Sequence, residues 1–177
     1  MPLGETLIPE EKIRRRVREL ARELDAALPP GPVHCVVVLK SAVFFAADLL
    51  RSLKREVSVG FLSASSYGDA TESAGEVRVG AEALGPVEGR HVLLIDDILD
   101  TGHTMAAVRR AILARRPASL RSCVLLDKPS RRRVDARADH VGFTIADVFV
   151  VGYGLDFAEE FRTLPDIRAY QPGESSK

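Results

Sequence analysis

His91-Val92-Leu93-Leu94-Ile95-Asp96-Asp97-Ile98-Leu99-Asp100-Thr101-Gly102-His103-Thr104 decides the fold. The run from His91 to Ile95 suits a strand covered on both faces, as in a parallel sheet. Met105–Arg116 reads as a helix that stops before Pro117. The strand therefore runs straight into acids at its carboxyl end, the edge where open α/β sheets bind ligands. Asp96 and Asp97 are neighbouring carboxylates whose repulsion grows with burial, so they are tolerable only opposite hydroxyls, a metal or water. The loop Asp100–Thr104 is built for an anion. Gly102 permits close backbone approach and unusual dihedrals. Backbone N–H groups of Thr101, Gly102, His103 and Thr104, two threonine hydroxyls and the positive end of the next helix converge on one phosphate. A phosphate beside a row of acids points to a sugar phosphate, with the acids on the ribose hydroxyls and the loop on the 5′-phosphate.

Outward from this stretch the alternation repeats. Val33–Leu39 is a second β-branched run, and residues 57–66, Leu120–Leu126 and Val148–Val151 read as further strands. Residues 10–27 place Ile13, Val17, Leu20, Ala21 and Leu24 on one helical face, with Pro9, Glu10 and Glu11 suited to the helix start. Arg14, Arg15, Arg16 and Arg18 read as its solvated side. Ala42–Leu53 is another helix. Strands alternating with helices predict an α/β fold: a mostly parallel twisted sheet flanked by helices. Residues 67–80 are polar, lack apolar periodicity and are long for a connection, which predicts a functional lid. No repeat or linker divides the 177 residues, so one domain over 1–177 is expected.

Composition narrows the function. Lys plus Arg and Asp plus Glu number 25 each, a formal net charge of zero, which speaks against a phosphate-backbone binder. No apolar run approaches the roughly 20 residues of a membrane span, and the N-terminus lacks the pattern of a signal peptide. Cys35 and Cys123 sit inside apolar runs and read as small buried strand residues rather than a disulfide or catalytic thiol. A reducing, cytoplasmic location is the expectation. None of the four histidines has metal-ligand spacing with another, which argues against zinc.

The pattern of four apolar residues, two acids, two apolar residues and Asp-Thr-Gly-x-Thr resembles the phosphoribosyl-pyrophosphate (PRPP) signature of the phosphoribosyltransferases. Leu39-Lys40-Ser41-Ala42, Ser65-Ser66-Tyr67-Gly68 with Ser73-Ala74-Gly75, Leu126-Asp127-Lys128-Pro129, and Asp147–Asp156 with Glu159 and Arg162 follow in order. Together they resemble the hypoxanthine-guanine phosphoribosyltransferase family over nearly the whole chain. The resemblance implies a type I phosphoribosyltransferase fold, with a core over about 30–145 and a small hood from the N-terminal segment and about 146–170. It implies purine salvage: transfer of phosphoribose from PRPP to N9 of hypoxanthine or guanine with Mg²⁺. The partners are PRPP and a 6-oxopurine, with no nucleic acid and no membrane, in an even-numbered homo-oligomer, a dimer or tetramer.

Residue by residue, the resemblance puts Asp100 opposite purine N7 as general acid/base. It puts Lys128 on the exocyclic O6, where it penalises adenine, with Phe149 stacked on the purine and Val150 contacting it through backbone. Lys40, Ser41 and Arg162 face pyrophosphate. Asp156, with Asp96 and Asp97, is assigned to Mg²⁺. Ser66 and Tyr67 belong to the lid, and a cis peptide is implied at Lys40–Ser41. This chain departs from the family in having Asp96 where Glu is common, Ser41 where Gly is usual and Ala146 for a Pro. Arg131, Arg132 and Arg133 follow the Lys128 turn and read as solvated, ahead of steering anionic PRPP or serving a subunit contact. The alternatives are a xanthine or uracil phosphoribosyltransferase, the latter with an RNA-binding regulatory role. PRPP synthetase shares the signature but not the lysine and hood segments, and a phosphoacceptor domain needs no Thr-Gly-His-Thr loop.

Overall fold

The computed structural model describes residues 3–66 and 77–171. Strands β2 (Val33–Leu39), β3 (Val57–Ser66), β4 (Val77–Gly80), β5 (His91–Leu99), β6 (Ser119–Asp127) and β7 (His140–Thr144) form one sheet in the order β4-β3-β2-β5-β6-β7. All neighbours are parallel except β3 and β4. The centre of the sheet is β5, where Val92, Leu93, Leu94 and Ile95 are all 0% exposed. Helices α1 (Glu10–Ala27) and α2 (Val43–Ser52) cover one face, against Val33, Cys35, Val37, Leu93 and Ile95. Helix α3 (His103–Leu113) covers the other, against Val36, Val38, Val92 and Leu94. Alternate residues of each strand thus feed two cores, which is why these strands read as unbroken apolar runs.

The five residues expected on the inner side of α1 are its buried ones. Cys35 and Cys123 are free and buried, and desolvation pushes the Cys35 thiol up to about 12. Arg14, Arg15 and Arg18 are exposed as expected, but Arg16 departs from the solvated reading of its cluster. It donates to the Gly142 and Val141 carbonyls at 3.0 and 2.9 Å and to Glu23 at 2.7 Å, pinning α1 to β7. Helix α3 begins and ends before the sequence expectation of Met105–Arg116, because Gly102 already accepts its first hydrogen bond, from the Ala106 N–H.

A second, three-stranded antiparallel sheet joins the two ends of the chain in the order β1-β9-β8, from Leu3–Ile8, Ile167–Tyr170 and Val150–Val151. Thr6 donates to Asp166 at 2.8 Å across this sheet, 160 residues away in sequence. Part of the expected lid connection, Val77–Gly80, is the edge strand β4 instead, because its backbone pairs with β3 at Ser63–Ser66. Tyr67, Gly68 and Ser73–Gly75 lie outside the described residues. Among the described residues no helix is long and apolar enough to cross a membrane.

Candidate active site

From β2 the chain moves through α2 to β3 on one side. From β5 it moves through α3 to β6 on the other. The strand order reverses between β2 and β5, and ligands bind in the crevice outside the strand ends at such a point. A pocket of about 250 Å³ lies there, lined by Val38–Ser41 after β2 and by Asp96–Gly102 and Thr104 at the end of β5. Asp96, Asp97, Asp100, Thr101, Gly102, Thr104, Lys40 and Ser41 are thus gathered around one cavity. His103 opens α3 beside it.

Strand β5 continues past the expected end at Ile95 because β6 keeps pairing with it, Ile98 opposite Leu126 and Leu99 opposite Asp127. The acids therefore sit in the strand. Asp96 and Asp97 are only 5% and 8% exposed. Desolvation, then the charge of Asp97, holds Asp96 well above the usual carboxylate range. Desolvation also raises Asp97, against downward pulls from its hydrogen bond with Asp96, then from backbone N–H groups, and last from Arg162. Among the described residues neither acid makes an ion pair, and the Asp97 N–H donates to Asp96 at 2.9 Å.

Gly102 has φ +92°, and a Cβ there would lie 2.9 Å from Ala136 Cβ and 3.1 Å from Val134 Cγ2. Glycine is required twice over, by dihedral and by space. The loop is braced from behind. Thr101 O accepts the Arg133 N–H at 2.9 Å, and the Arg132 guanidinium donates to the Leu99 and Asp100 carbonyls and pairs with Asp127. Arg131 pairs with Asp100 at 3.1 Å. The reading of these arginines as solvated is therefore corrected for Arg132, whose buried carbonyl and carboxylate partners at the strand ends need a donor, while Arg131 and Arg133 remain open to solvent.

Across the pocket, the cis peptide lies between Leu39 and Lys40, one step before the expected Lys40–Ser41. The Lys40 carbonyl accepts the Val43 N–H and so already belongs to the turn that opens α2. Lys40 pairs with Glu159 at 2.9 Å. Arg162 donates to Ser41 Oγ and Gly154 O, each at 2.8 Å, and pairs with Asp156 at 3.1 Å and Glu159 at 3.2 Å. A Cβ on Gly154, at φ +100°, would stand 2.1 Å from the Ser41 carbonyl, so the hood rests directly on this loop.

On the β6 side Lys128 is buried at 6% exposure, and its backbone N–H donates to the Leu99 carbonyl at 2.9 Å. Phe149, just before β8, is 48% exposed and meets Phe157 edge-on at 5.9 Å and Tyr170 at the same distance. Val150 is buried in β8. The backbone of Ser66 closes β3. Sequence reasoning missed the Arg131, Arg132 and Glu159 contacts and the Phe157 and Tyr170 rings. The aromatic spacing of the hood is the one local sign of them.

The donor set suits a cation at the pocket, since two buried carboxylates there lack a paired cation among the described residues. Asp156 is instead turned to Arg162 and the Glu159 N–H. No group of three or more His, Cys, Asp or Glu among the described residues is placed to hold a metal. The residues therefore fit a hydrated divalent cation that takes most of its oxygens from water and substrate, not an all-protein cage.

A family model described as the phosphoribosyl transferase domain matches residues 5–158. The hypoxanthine-guanine phosphoribosyltransferase of Aquifex aeolicus is 46% identical over 162 residues, 91% of each chain. That of Bacillus subtilis is 42% identical over 170 residues, 96% of this chain and 94% of the relative. The crystal structure of a hypoxanthine phosphoribosyltransferase from Staphylococcus aureus superposes with a TM-score of 0.92 at 39% identity, covering 99% of this chain and 96% of that one. A pocket at the sheet's switch point, edged by paired acids and an anion loop, and relatives that agree over nearly the full length lead to one conclusion: the chain belongs to the phosphoribosyl transferase domain family, among its hypoxanthine-guanine phosphoribosyltransferases.

Proposed function

We propose that the protein transfers the 5-phosphoribosyl group of PRPP to N9 of hypoxanthine or guanine, forming IMP or GMP and releasing pyrophosphate. The observation that carries this is the meeting of Asp96 and Asp97 with the Thr101–Thr104 loop in one pocket, opposite Lys40 and Ser41. Thr101, Gly102, His103 and Thr104 hold the 5′-phosphate through backbone N–H groups, hydroxyls and the start of α3. Asp96 and Asp97 face the ribose hydroxyls. Lys40, Ser41 and Arg162 take the pyrophosphate, once Arg162 and Lys40 exchange their carboxylates for its oxygens.

As the N9–C1′ bond forms, the C1′–O bond breaks and its electron pair leaves on pyrophosphate. The ring sheds its proton at N7, and the Asp100 carboxylate accepts it. The Lys128 ammonium donates to O6, the Val150 backbone meets the base edge, and the half-exposed ring of Phe149 is available to stack on the purine. Asp96 and Asp97, with Asp156 once Arg162 has left it for pyrophosphate, would offer oxygens to a largely hydrated Mg²⁺, which neutralises pyrophosphate oxygens when bound. In this reading residues 1–177 act as one unit in the cytoplasm, the core gripping sugar and phosphates and the hood presenting the base. A homo-oligomer belongs to the same reading, and the exposed Val43, Phe44, Val59 and Phe61 along α2 and β3 support it.

An absorbance assay with PRPP, Mg²⁺ and a panel of free bases tests this. Hypoxanthine and guanine should turn over, adenine little and uracil not at all. Turnover of uracil without the purines overturns the reading.

A further inference from the structure

The Asp100 carboxylate is held from outside its own loop. Arg131 Nε donates to Asp100 Oδ1 at 3.1 Å, and the same nitrogen lies 3.7 Å from Asp147 Oδ1. Arg131 ends the short 3₁₀ turn Pro129–Arg131 that starts at Lys128, and its N–H donates to the Lys128 carbonyl at 3.1 Å. Arg132, the next residue, donates to the Asp100 carbonyl. One turn therefore fixes both the backbone and the side chain of Asp100, and the same turn carries the lysine assigned to the base. The charged and titratable groups around Asp100 are Arg131 with Asp147 behind it, Arg132 with Asp127 behind it, Lys128 on the turn, and Asp97 and His103 on its own segment.

Arg131 spans two carboxylates, so its guanidinium is held from both sides. We propose that Arg131 is a positioning residue for the transfer: anchored by Asp147, it turns the Asp100 carboxylate toward N7. This rests on the role of Asp100 proposed above. The Arg131 guanidinium holds its proton more tightly than a free one, chiefly through Asp100 and then through Asp147.

The test compares Arg131→Gln, Arg131→Lys and the double variant Arg131→Gln with Asp100→Asn against the unaltered protein, and the readouts are kcat and KM for hypoxanthine turnover. Arg131→Gln should lower kcat about 10- to 100-fold, the cost of losing alignment, with KM for PRPP changed no more than about twofold. Arg131→Lys should restore kcat only in part, because an ammonium lacks the planar fork. Once Asp100 is Asn, adding Arg131→Gln should change kcat no more than about twofold, because the group it positions is already gone. An unchanged kcat in Arg131→Gln, a KM that rises as far as kcat falls, or a full further loss in the double variant overturns the inference. If the unaltered protein turns over no purine, the functional reading fails and the inference with it; if it turns over purine and Arg131→Gln matches it, the positioning role alone fails.

Discussion

Two carboxylate pairs flank the pocket, and they are held in opposite ways. Asp96 and Asp97, at the end of β5, are buried and have no paired cation among the described residues. Both hold their protons more tightly than free acids do. Asp156 and Glu159, on the hood, are tied to Arg162 and Lys40, and these two cations hold Glu159 below the usual carboxylate range. The core pair stores repulsion that a cation or a row of hydroxyls relieves on arrival. The hood pair stores attraction that pyrophosphate must compete for. Arg162 bears on both, since its charge adds the smallest of the pulls that lower Asp97, behind the hydrogen bonds with Asp96 and the backbone.

Asp100 stands between the two cases, a core acid with a cation of its own, and it provides the largest test. Asp100→Asn should cut kcat by about 10²–10⁴, the usual range for a lost acid/base, with little change in PRPP affinity. A rate near the unaltered one would place Asp100 with the merely structural ion pairs. Asp96→Asn should have the next largest effect, and opposite signs for stability and function. A carboxyl whose folded pKa lies above its unfolded value binds protons better in the native state. Its stabilising contribution is therefore present at low pH and lost as pH rises from about 4 toward neutrality. In metal-free protein Asp96→Asn should add about 1–2 kcal/mol at pH 7, or roughly 3–6 °C in Tm, and flatten the pH dependence, while PRPP binding weakens. A variant less stable than its parent at neutral pH would show that the pair is relieved within the fold itself.

What was legible in the sequence follows from distance along the chain. The β5 run, the acids and the Thr-Gly-His-Thr loop are local, and two acids at the end of an apolar strand admit few chemistries. The inner face of α1 was equally plain from its periodicity. The missed strands are short or polar and owe their pairing to remote partners. Only Ile8 of β1 is fully buried, and β1 exists because β9 lies beside it. Val77–Gly80 is a strand because the edge of β3 is free. The arginines failed for the same reason. Nothing near Arg16 announces carbonyls 125 and 126 residues away, and nothing near Arg132 announces those of Leu99 and Asp100. A guanidinium that caps strand ends looks, in one dimension, like a solvated charge.

The smallest predicted effect bears on the hood pair. Glu159 is exposed and pairs with both Lys40 and Arg162, so it competes with pyrophosphate for each. Glu159→Gln removes the charge but keeps the length, and exposed pairs of this kind add little to folding. Its KM for PRPP should fall about two- to fivefold at low ionic strength, and the difference should shrink above roughly 0.2 M salt as screening weakens the competing pair. Melting temperature should barely move. A higher KM would mean that Glu159 steers Lys40 and Arg162 toward the pyrophosphate site rather than away from it, and the hood would then be an organiser of substrate cations, not a store of attraction that substrate has to overcome.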